Sequence, residues 1–380
     1  MEDKNIDLKN LTDTVCRHGS PPRQDIVLYS SAYIYRNVSG YKFNEANDRT
    51  EKENILFQIQ EAKNSIRFLN NFKFYYVRDI PRIHRQLLMD KRLISSSMIQ
   101  KIAGKGIIIQ SEPADNKKLI AIIINEDEHL KIQCHMPGIK VRQCYKEIIK
   151  IEKKLEKKLS FSFSQNLGYL TSNPSVLGTG LKVEILVHLP SLVISTKIID
   201  FIKNLNQTGY GVSSYIAESN EIIGNLFRIS NLATLGKNEE SIIEELNAIA
   251  HNIIEEENKA KKEIGSNINF IIEDSVYRSF GMIKYAKVLS FEEAVELLSI
   301  IKFGMDLRII DEVRYFDFYR LIEMITDSNI ELNHIKNKKA SMDEIDFVRA
   351  CVVRDEILKN SNADPESADF GKVDQGDTNV

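Results

Sequence analysis

The stretch "DIVLYSSAYIYRNV" (residues 25–38) is rich in β-branched and aromatic residues. Such residues favour the pleated, half-buried surface of a sheet, so the stretch predicts a strand or a strand pair. The segments "KGIIIQS" (105–111) and "KLIAIIINEDEHLKIQC" (118–134) are also strand-like, and Asp115 and Asn116 supply turn residues between them. We therefore expect a β-hairpin there.

Helical periodicity surrounds these strand-like segments. Apolar residues recur at helical spacing in 50–70 and 81–103, and 144–159 and 241–264 have the pattern of amphipathic helices. The segment "LKVEILVHLPSLV" (181–193) is again strand-like. This mixture of strands and helices predicts an α/β or α+β domain.

The pattern becomes helical after about residue 265. "SFEE" (290–293) is a capping box that opens one helix, and 343–358 predicts another. The end of the chain is acidic, polar and poor in large aliphatic residues, which is typical of disorder. The predicted organisation is an N-terminal segment (1–24), an α/β domain (25–264), a small helical C-terminal domain (265–358) and a disordered acidic tail (359–380).

Composition excludes several classes of protein. The 380 residues carry a net charge of −3, which argues against a nucleic-acid partner. No apolar run reaches about 18 residues and the N-terminus lacks a signal-peptide core, so we expect no membrane association. The four scattered cysteines favour a reducing cytoplasm. His129, Cys134, His135 and Cys144 match no common zinc spacing, so no metal site is predicted.

A glycine-rich loop lies at "GYLTSNPSVLGTGLKV" (168–183). Gly178 and Gly180 free its backbone, and such loops often cradle phosphate through backbone N–H groups. The loop has one cation, Lys182, and no arginine. A phosphate site here must therefore draw the rest of its positive charge from other segments.

Five segments in order resemble the ATP:guanido phosphotransferase (phosphagen kinase) family. They are "IVLYSS…RN" (26–37), "INEDEHLKIQ" (124–133), "LGYLTSNPSVLGTGLK" (167–182), "HLPSL" (188–192) and "ISNLATLGKNEE" (229–240). The C-terminal segments "DSVYRSFGMI" (274–283) and "LLSIIKFGMDL" (297–307) are similar to those of bacterial protein-arginine kinases. The ordered set is far more specific than a lone glycine-rich loop.

The resemblance implies both a fold and a reaction. The fold is a large antiparallel sheet flanked by helices, followed by a small helical C-terminal domain. The reaction transfers the γ-phosphoryl group of ATP, bound with magnesium, to a guanidinium nitrogen. Arginines clamp the phosphates because their planar fork binds phosphate oxygens bidentately. A carboxylate holds and deprotonates the guanidinium.

The family's first signature is Ser-Ser-Arg-x-Arg-x-x-Arg-Asn. The resemblance places Ser30 and Arg36 in the cofactor site, with Ser31 and Tyr33 at the first two arginine positions. Serine and tyrosine lack the charge of arginine, so only the third arginine of this signature remains.

The second signature is Asn-Glu-Glu-Asp-His-x-Arg. By resemblance, Glu126 and Asp127 are candidate catalytic residues, with Asp127 at the catalytic glutamate position. His129 and Lys131 are candidate cofactor-binding residues, and Lys131 replaces the arginine. Aspartate is one methylene shorter than glutamate, and a displacement of about 1 Å can cost a hundredfold in rate.

Two further segments complete the implied site. Asn173 stands at the family's substrate-side cysteine, and Lys182 stands at a phosphate-binding arginine. In "SSYIAES", Ser213 replaces another arginine, while Glu218 keeps its carboxylate. We take Asn173 and Glu218 as candidate catalytic residues, and Lys182 and Ser213 as candidate cofactor-binding residues. The five clamp positions then hold two lysines and no arginine.

The C-terminal helix resembles the Arg-Asp-x-x-Arg-Ala element that bacterial protein-arginine kinases use for phosphoarginine binding. Ile345 replaces the first arginine, while Asp346 and Arg349 remain as candidate phosphoarginine-binding residues. An ordinary ion pair at i, i+3 on a helix is the alternative interpretation.

Three functions stay open at this point. The eroded clamp favours a pseudokinase or adaptor in protein quality control, because one well-placed arginine is worth about 10³–10⁵ in rate. The resemblance then implies a zinc-binding activator protein and a Clp-type unfoldase as partners, and a homodimer. It also implies ATP with magnesium as the cofactor, whereas the eroded clamp predicts weak or absent binding of MgATP. The alternatives are an active protein-arginine kinase that uses Lys131, Lys182 and Arg36 on protein arginine substrates, and a free-arginine phosphagen kinase.

Overall fold

A large antiparallel sheet forms the centre of the computed structural model, as expected. The structure describes residues 26–43, 46, 48–110, 118–216, 221–313, 315–335 and 340–359. The strands are β1 (Val27–Arg36), β2 (Phe72–Tyr76), β3 (Gly106–Gln110), β4 (Leu119–Ile124), β5 (Leu130–Pro137), β6 (Phe163–Ser164), β7 (Gly168–Tyr169), β8 (Leu181–His188), β9 (Tyr210–Ser214) and β10 (Leu226–Asn231). The strand order in the large sheet is β2-β3-β4-β5-β1-β8-β10-β9, and every neighbouring pair is antiparallel.

Helices cover the sheet and build the C-terminal region. They are α1 (Arg49–Asn64), α2 (Arg82–Asp90), α3 (Ser96–Gln100), α4 (Val141–Leu155), α5 (Pro190–Ile194), α6 (Ile198–Gln207), α7 (Glu239–Gly265), α8 (Phe270–Tyr285), α9 (Phe291–Asp306), α10 (Phe318–Met324), α11 (Asp327–His334) and α12 (Met342–Lys359). No helix in these described ranges is long and apolar enough to cross a membrane.

Strand β1 lies in the middle of the sheet, between β5 and β8. Because side chains alternate along a strand, its two faces have different environments. Ala32 and Ile34 pack into the main core beneath α4 and α7. Ser31 and Tyr33 point to the opposite face, and that face carries the predicted clamp positions.

Most of the expected elements are present, with two differences. The hairpin of β3 and β4 is confirmed, although its predicted turn residues lie outside the described residues. The helical segment 81–103 forms two helices, α2 and α3. The strand-like segment 181–193 ends at His188, because Pro190 has no N–H for a sheet ladder and suits the first turn of a helix.

Side-chain caps fix the starts of two long helices, and the second of them is the predicted capping box. The Asn238 side chain accepts a hydrogen bond from the Ser241 N–H at the start of α7. Ser290 accepts one from the Glu293 N–H at the start of α9. The predicted N-terminal segment and the acidic tail beyond residue 359 lie outside the described residues.

The C-terminal helices pack directly on the sheet and share a core with it. The rings of Tyr29 on β1 and Tyr319 on α10 lie 5.0 Å apart. Nearby, Lys91 at the end of α2 forms an ion pair of 2.8 Å with Glu323 on α10, and Lys91 is almost fully buried. Apolar packing and a buried charge pair therefore both join the helical region to the sheet. The domain boundary at residue 264 stays a prediction.

Candidate active site

The predicted clamp positions of β1 and β8 lie side by side on one face of the sheet. Tyr33 is opposite Lys182, and Ser31 is opposite Glu184, in the antiparallel register of these strands. On the other side of β1, Ser31 is opposite His135, and a hydrogen bond of 2.8 Å joins Ser31 Oγ to His135 Nδ1. The fold therefore brings Ser31, Tyr33 and Lys182 together. The family resemblance places these residues at the positions of phosphate-clamping arginines.

Two of these positions present neutral, buried side chains. Tyr33 is 8% exposed, and its ring packs edge-on against the His135 ring at 5.6 Å. Burial, together with the charge of Glu184, raises the pKa of Tyr33 well above its ordinary value. Its hydroxyl therefore stays protonated, and neither Tyr33 nor Ser31 can offset the charge of a phosphate.

The ammonium group of Lys131 on β5 is not free to bind a ligand on this face of the sheet. Its ammonium forms an ion pair with the Glu126 carboxylate, and both side chains are almost fully buried. The other oxygen of Glu126 accepts a hydrogen bond of 2.7 Å from the Ser95 N–H. A predicted clamp cation and a predicted catalytic carboxylate thus neutralise each other.

A second ion pair on the same face was not predicted from the sequence. Glu184 lies two residues after Lys182 on β8, and its carboxylate is 3.7 Å from the Arg228 guanidinium. Arg228 also donates to the Ser214 carbonyl at 2.7 Å and stands opposite the exposed Ser213 in the register of β9 and β10. Among the described residues, Lys182 is the one cation at a predicted clamp position without an ion-pair partner. The sequence did contain a signal for Glu184, because residues two apart on a strand point to the same face of the sheet.

Asp127 lies beside this face in an open cleft of about 920 Å³. Glu126 and Asn173 also line the cleft, so the fold brings three predicted catalytic residues together. Asp127 is exposed as a residue, but the walls of the cleft still desolvate its carboxyl. This desolvation and the neighbouring charge of Glu126 raise the pKa of the carboxyl above the ordinary value. The fourth predicted catalytic residue, Glu218, lies outside the described residues.

Glu128 positions the loop that carries Asn173. Its carboxylate accepts hydrogen bonds of 3.0 Å from the Asn173 N–H and from the N–H and hydroxyl of Ser172. It also accepts one from the Asn37 amide, which ties the loop to the end of β1. Sequence reasoning missed Glu128 as a positioning residue because its partners are distant in the chain.

Arg36 occupies the other side of the sheet from Ser31 and Tyr33. It is 2% exposed, and its Nε donates to the Glu152 carboxylate on α4 at 2.9 Å. A further nitrogen donates to the Thr179 carbonyl at 2.9 Å, and the guanidinium carbon lies 3.3 Å from the centre of the Tyr169 ring. The structure does not bring Arg36 together with the other predicted clamp residues.

Ser30 also lies on that opposite side and is fully buried. Its hydroxyl donates to the Gly138 carbonyl at 2.7 Å and accepts from the Lys140 N–H at 2.9 Å. The Ser30 hydroxyl therefore stabilises the turn between β5 and α4. It already donates one hydrogen bond and accepts another within the protein.

His129 directly precedes β5 and is buried beside the end of β1. The Val38 N–H donates to its Nδ1 at 3.0 Å, and its Nε2 lies 2.8 Å from the Lys42 carbonyl. Because Nδ1 accepts, Nε2 carries the proton and donates. Burial lowers the pKa of His129, so the ring is neutral near pH 7 and both nitrogens bond to the backbone.

Among the residues described by the structure, no group of three or more histidine, cysteine or acidic side chains could hold a metal ion. Cys134 and Cys144 are buried free thiols. His129 and His135 bond to different partners at separate places in the sheet.

Arg349 and Asp346 lie on α12 and contact each other. Arg349 is fully buried and donates to the carbonyls of Ile325 and Leu289, each at 2.8 Å. Its remaining contacts are ion pairs with Asp346 and Asp327. Protein groups thus surround the guanidinium of this predicted phosphoarginine-binding residue on all sides.

Comparison with known proteins identifies the class that this fold and site define. Residues 54–260 match the family described as ATP:guanido phosphotransferase, C-terminal catalytic domain. Residues 269–368 match the family described as protein-arginine kinase McsB C-terminal domain. The chain therefore belongs to the ATP:guanido phosphotransferase family, and its C-terminal region is of the bacterial type.

Curated relatives cover nearly the whole chain. A protein-arginine kinase of Clostridium botulinum is 33% identical over 93% of this chain and 100% of its own length. A protein-arginine kinase of Halothermothrix orenii is 32% identical over 93% of this chain and 99% of its own length. The resemblance to protein-arginine kinases is thus confirmed for both regions of the chain.

Solved structures support the fold alone, because their sequence identity is low. The duplicated taurocyamine kinase from Schistosoma mansoni has a TM-score of 0.56 at 19% identity, and the match covers 67% of this chain and 37% of that enzyme. A lombricine kinase has a TM-score of 0.52 at 18% identity, over 65% of this chain and 75% of its own. The predicted fold class is confirmed.

Proposed function

We propose that this chain is a protein-arginine kinase homologue whose ATP-phosphate clamp is eroded, and that it acts by binding rather than by phosphoryl transfer. The observation that carries the proposal is the buried ion pair between Lys131 and Glu126. It uses a clamp cation to neutralise a candidate catalytic carboxylate. Separating a buried pair of this kind leaves two uncompensated charges, so the pair resists recruitment by a ligand.

The rest of the sheet face does not fit a triphosphate with magnesium. Ser31 and Tyr33 are neutral, and Lys182 provides a point charge without the bidentate fork of arginine. Glu184 holds the neighbouring Arg228 in an ion pair, so this guanidinium is not a free cation for phosphate oxygens. These features support loss of the family's cofactor, and we derive no catalytic step through it.

An active protein-arginine kinase is the second candidate. The observation in its favour is that Asp127 and Asn173 line one open cleft, so a guanidinium could approach the Asp127 carboxylate. In that case protein arginine side chains are the substrates, as the names of the curated relatives suggest. Transfer would then depend on Lys182, the clamp cation that has no ion pair within the described part of the chain.

The partners proposed for the binding protein follow from the family resemblance. They are a zinc-binding activator protein and a Clp-type unfoldase in cytoplasmic protein quality control, with a homodimer as the working unit. The exposed apolar side chains of α8, including Phe270 and Tyr285, offer a surface for such contacts.

A phosphotransfer assay tests the proposal. The purified chain is incubated with MgATP and an arginine-rich protein, and phosphoarginine is quantified with a protein-arginine kinase from a curated relative as the positive control. We expect a rate at least about a thousandfold below the 1–100 s⁻¹ typical of kinases. A rate within that typical range would establish the active enzyme instead.

A further inference from the structure

Three lysines converge on the cleft that contains Asp127. Lys52 lies on α1, Lys101 follows α3, and Lys105 precedes β3, and all three line the cleft. We call them the lysine cluster. Neither the sequence motifs nor the family signatures point to these positions.

The segments that carry the cluster are held together by direct contacts. The Asn125 amide donates to the Lys52 carbonyl at 2.9 Å and to the Gly104 carbonyl at 2.7 Å. Gly104 has a φ of +66°, and a Cβ there would lie 2.8 Å from the Lys52 Cβ. The cluster is therefore part of a closely packed framework.

Lys105 is the most buried member, with 6% of its surface exposed. Its ammonium donates to the Ser97 carbonyl at 3.1 Å, which is a neutral partner. Burial lowers the pKa of Lys105, and the positive charges of Lys52 and Lys101 lower it further, against the opposing effect of Glu126 and Asp127. The ammonium groups of Lys52 and Lys101 therefore repel that of Lys105.

The carboxylates of the cleft do not balance this charge. Glu126 is paired with Lys131, whereas Glu128 keeps its negative charge because its hydrogen-bond donors in the Ser172 and Asn173 loop are neutral. Asp127 and Glu128 are therefore the carboxylates of the cleft without an ion pair among the described residues, and they face three lysines. Lys52 and Lys101 likewise form no ion pair with any part of the chain that the structure describes. The cleft thus has a surplus of positive charge, which favours an anionic ligand.

We propose that the lysine cluster binds a phosphoryl group. Lysine binds phosphate as a point charge, and a dianion offsets the charge of three cations better than a single carboxylate does. The phosphoryl group belongs either to free phosphate or to a phosphorylated guanidinium, whose N–H groups could donate to Asp127. Lys182 is not among the residues that line this cleft, so the proposal does not depend on the loss of ATP binding.

The test is calorimetric titration of the full chain with inorganic phosphate, N-phospho-L-arginine and MgATP in separate experiments. The double variant Lys52→Met/Lys101→Met leaves the buried Lys105 intact, and we expect it to weaken phosphate or phosphoarginine binding at least about tenfold. Lys153→Met is the matched control, because this exposed lysine lies on α4 outside the cleft, and it should leave the affinity unchanged.

Asp127→Asn distinguishes the two sources of the phosphoryl group. If phosphoarginine binds more tightly than phosphate and this variant removes the difference, the ligand is a phosphorylated guanidinium. If phosphate binds equally well and the variant strengthens both, the ligand is free phosphate. No binding of either probe to the parent, or equal binding to the parent and the double variant, would overturn the inference. Tight MgATP binding that Lys182→Met abolishes would instead contradict the proposed function.

Discussion

Restoring the arginine clamp is expected to raise the affinity for MgATP at least about a hundredfold, because each charge-assisted contact to phosphate is worth about 1.5–3 kcal/mol. The structure adds one requirement. Glu184 stands opposite residue 31 and would pair with an arginine placed there, so it must be neutralised. The variant combines Ser31→Arg, Tyr33→Arg, Lys131→Arg, Lys182→Arg, Ser213→Arg and Glu184→Gln. Titration calorimetry with MgATP measures the gain.

The matched control carries the five arginines and keeps Glu184. It should gain less affinity, since the carboxylate would compete with phosphate for the new guanidinium groups. Adding Asp127→Glu to the full variant should then raise arginine phosphorylation more than affinity, because transfer also needs the acceptor held in line. A full variant that folds, as judged by circular dichroism, yet binds MgATP no better than the parent would refute the clamp argument.

Arg36→Met is expected to lower the free energy of unfolding by about 3–5 kcal/mol, because it leaves the Glu152 carboxylate buried without its cation. The double variant Arg36→Met/Glu152→Met should recover much of this loss, since it removes both charges together. Urea unfolding followed by circular dichroism provides the comparison.

Lys182→Met serves as the contrast, because this half-buried lysine forms no ion pair within the described residues. It should change the free energy of unfolding by less than about 1 kcal/mol. If Arg36→Met were as stable as the parent and altered only nucleotide affinity, Arg36 would have a ligand-binding role and our structural account of it would fail.

The sequence predicts the sheet and helices well, because hydrophobic periodicity and caps decide them locally. Strand alternation alone also separates Arg36 from Ser31 and Tyr33, since residues of opposite parity point to opposite faces. The family signature is a linear motif, so it does not show that these residues lie on opposite faces of the sheet. Periodicity did not predict the break in 181–193, where Pro190 ends the strand and begins a helix.

The electrostatics of the site could not be predicted from the sequence. The pairing of Lys131 with Glu126 depends on side-chain direction across the end of β5, and Glu184 reaches Arg228 from a neighbouring strand. Both ion pairs depend on how strands that are far apart in the chain align in the sheet. The lysine cluster likewise unites three segments that only the folded chain brings together.

The same limit applies to the C-terminal element. The spacing of Asp346 and Arg349 was compatible with ligand recognition and with an ordinary ion pair. Burial of Arg349 and its contacts with Leu289, Ile325 and Asp327 come from other segments. A helical repeat cannot reveal such contacts, because they depend on how the helices pack.

Titration of the parent chain with ATP, with and without magnesium, tests the central claim most directly. An eroded clamp, with Lys131 paired to Glu126 and Glu184 beside the phosphate positions, predicts no saturable binding below about millimolar ATP in either condition, which corresponds to less than about 4 kcal/mol of binding free energy. A magnesium-dependent dissociation constant in the low micromolar range, about 1 μM or 8 kcal/mol, would contradict the account.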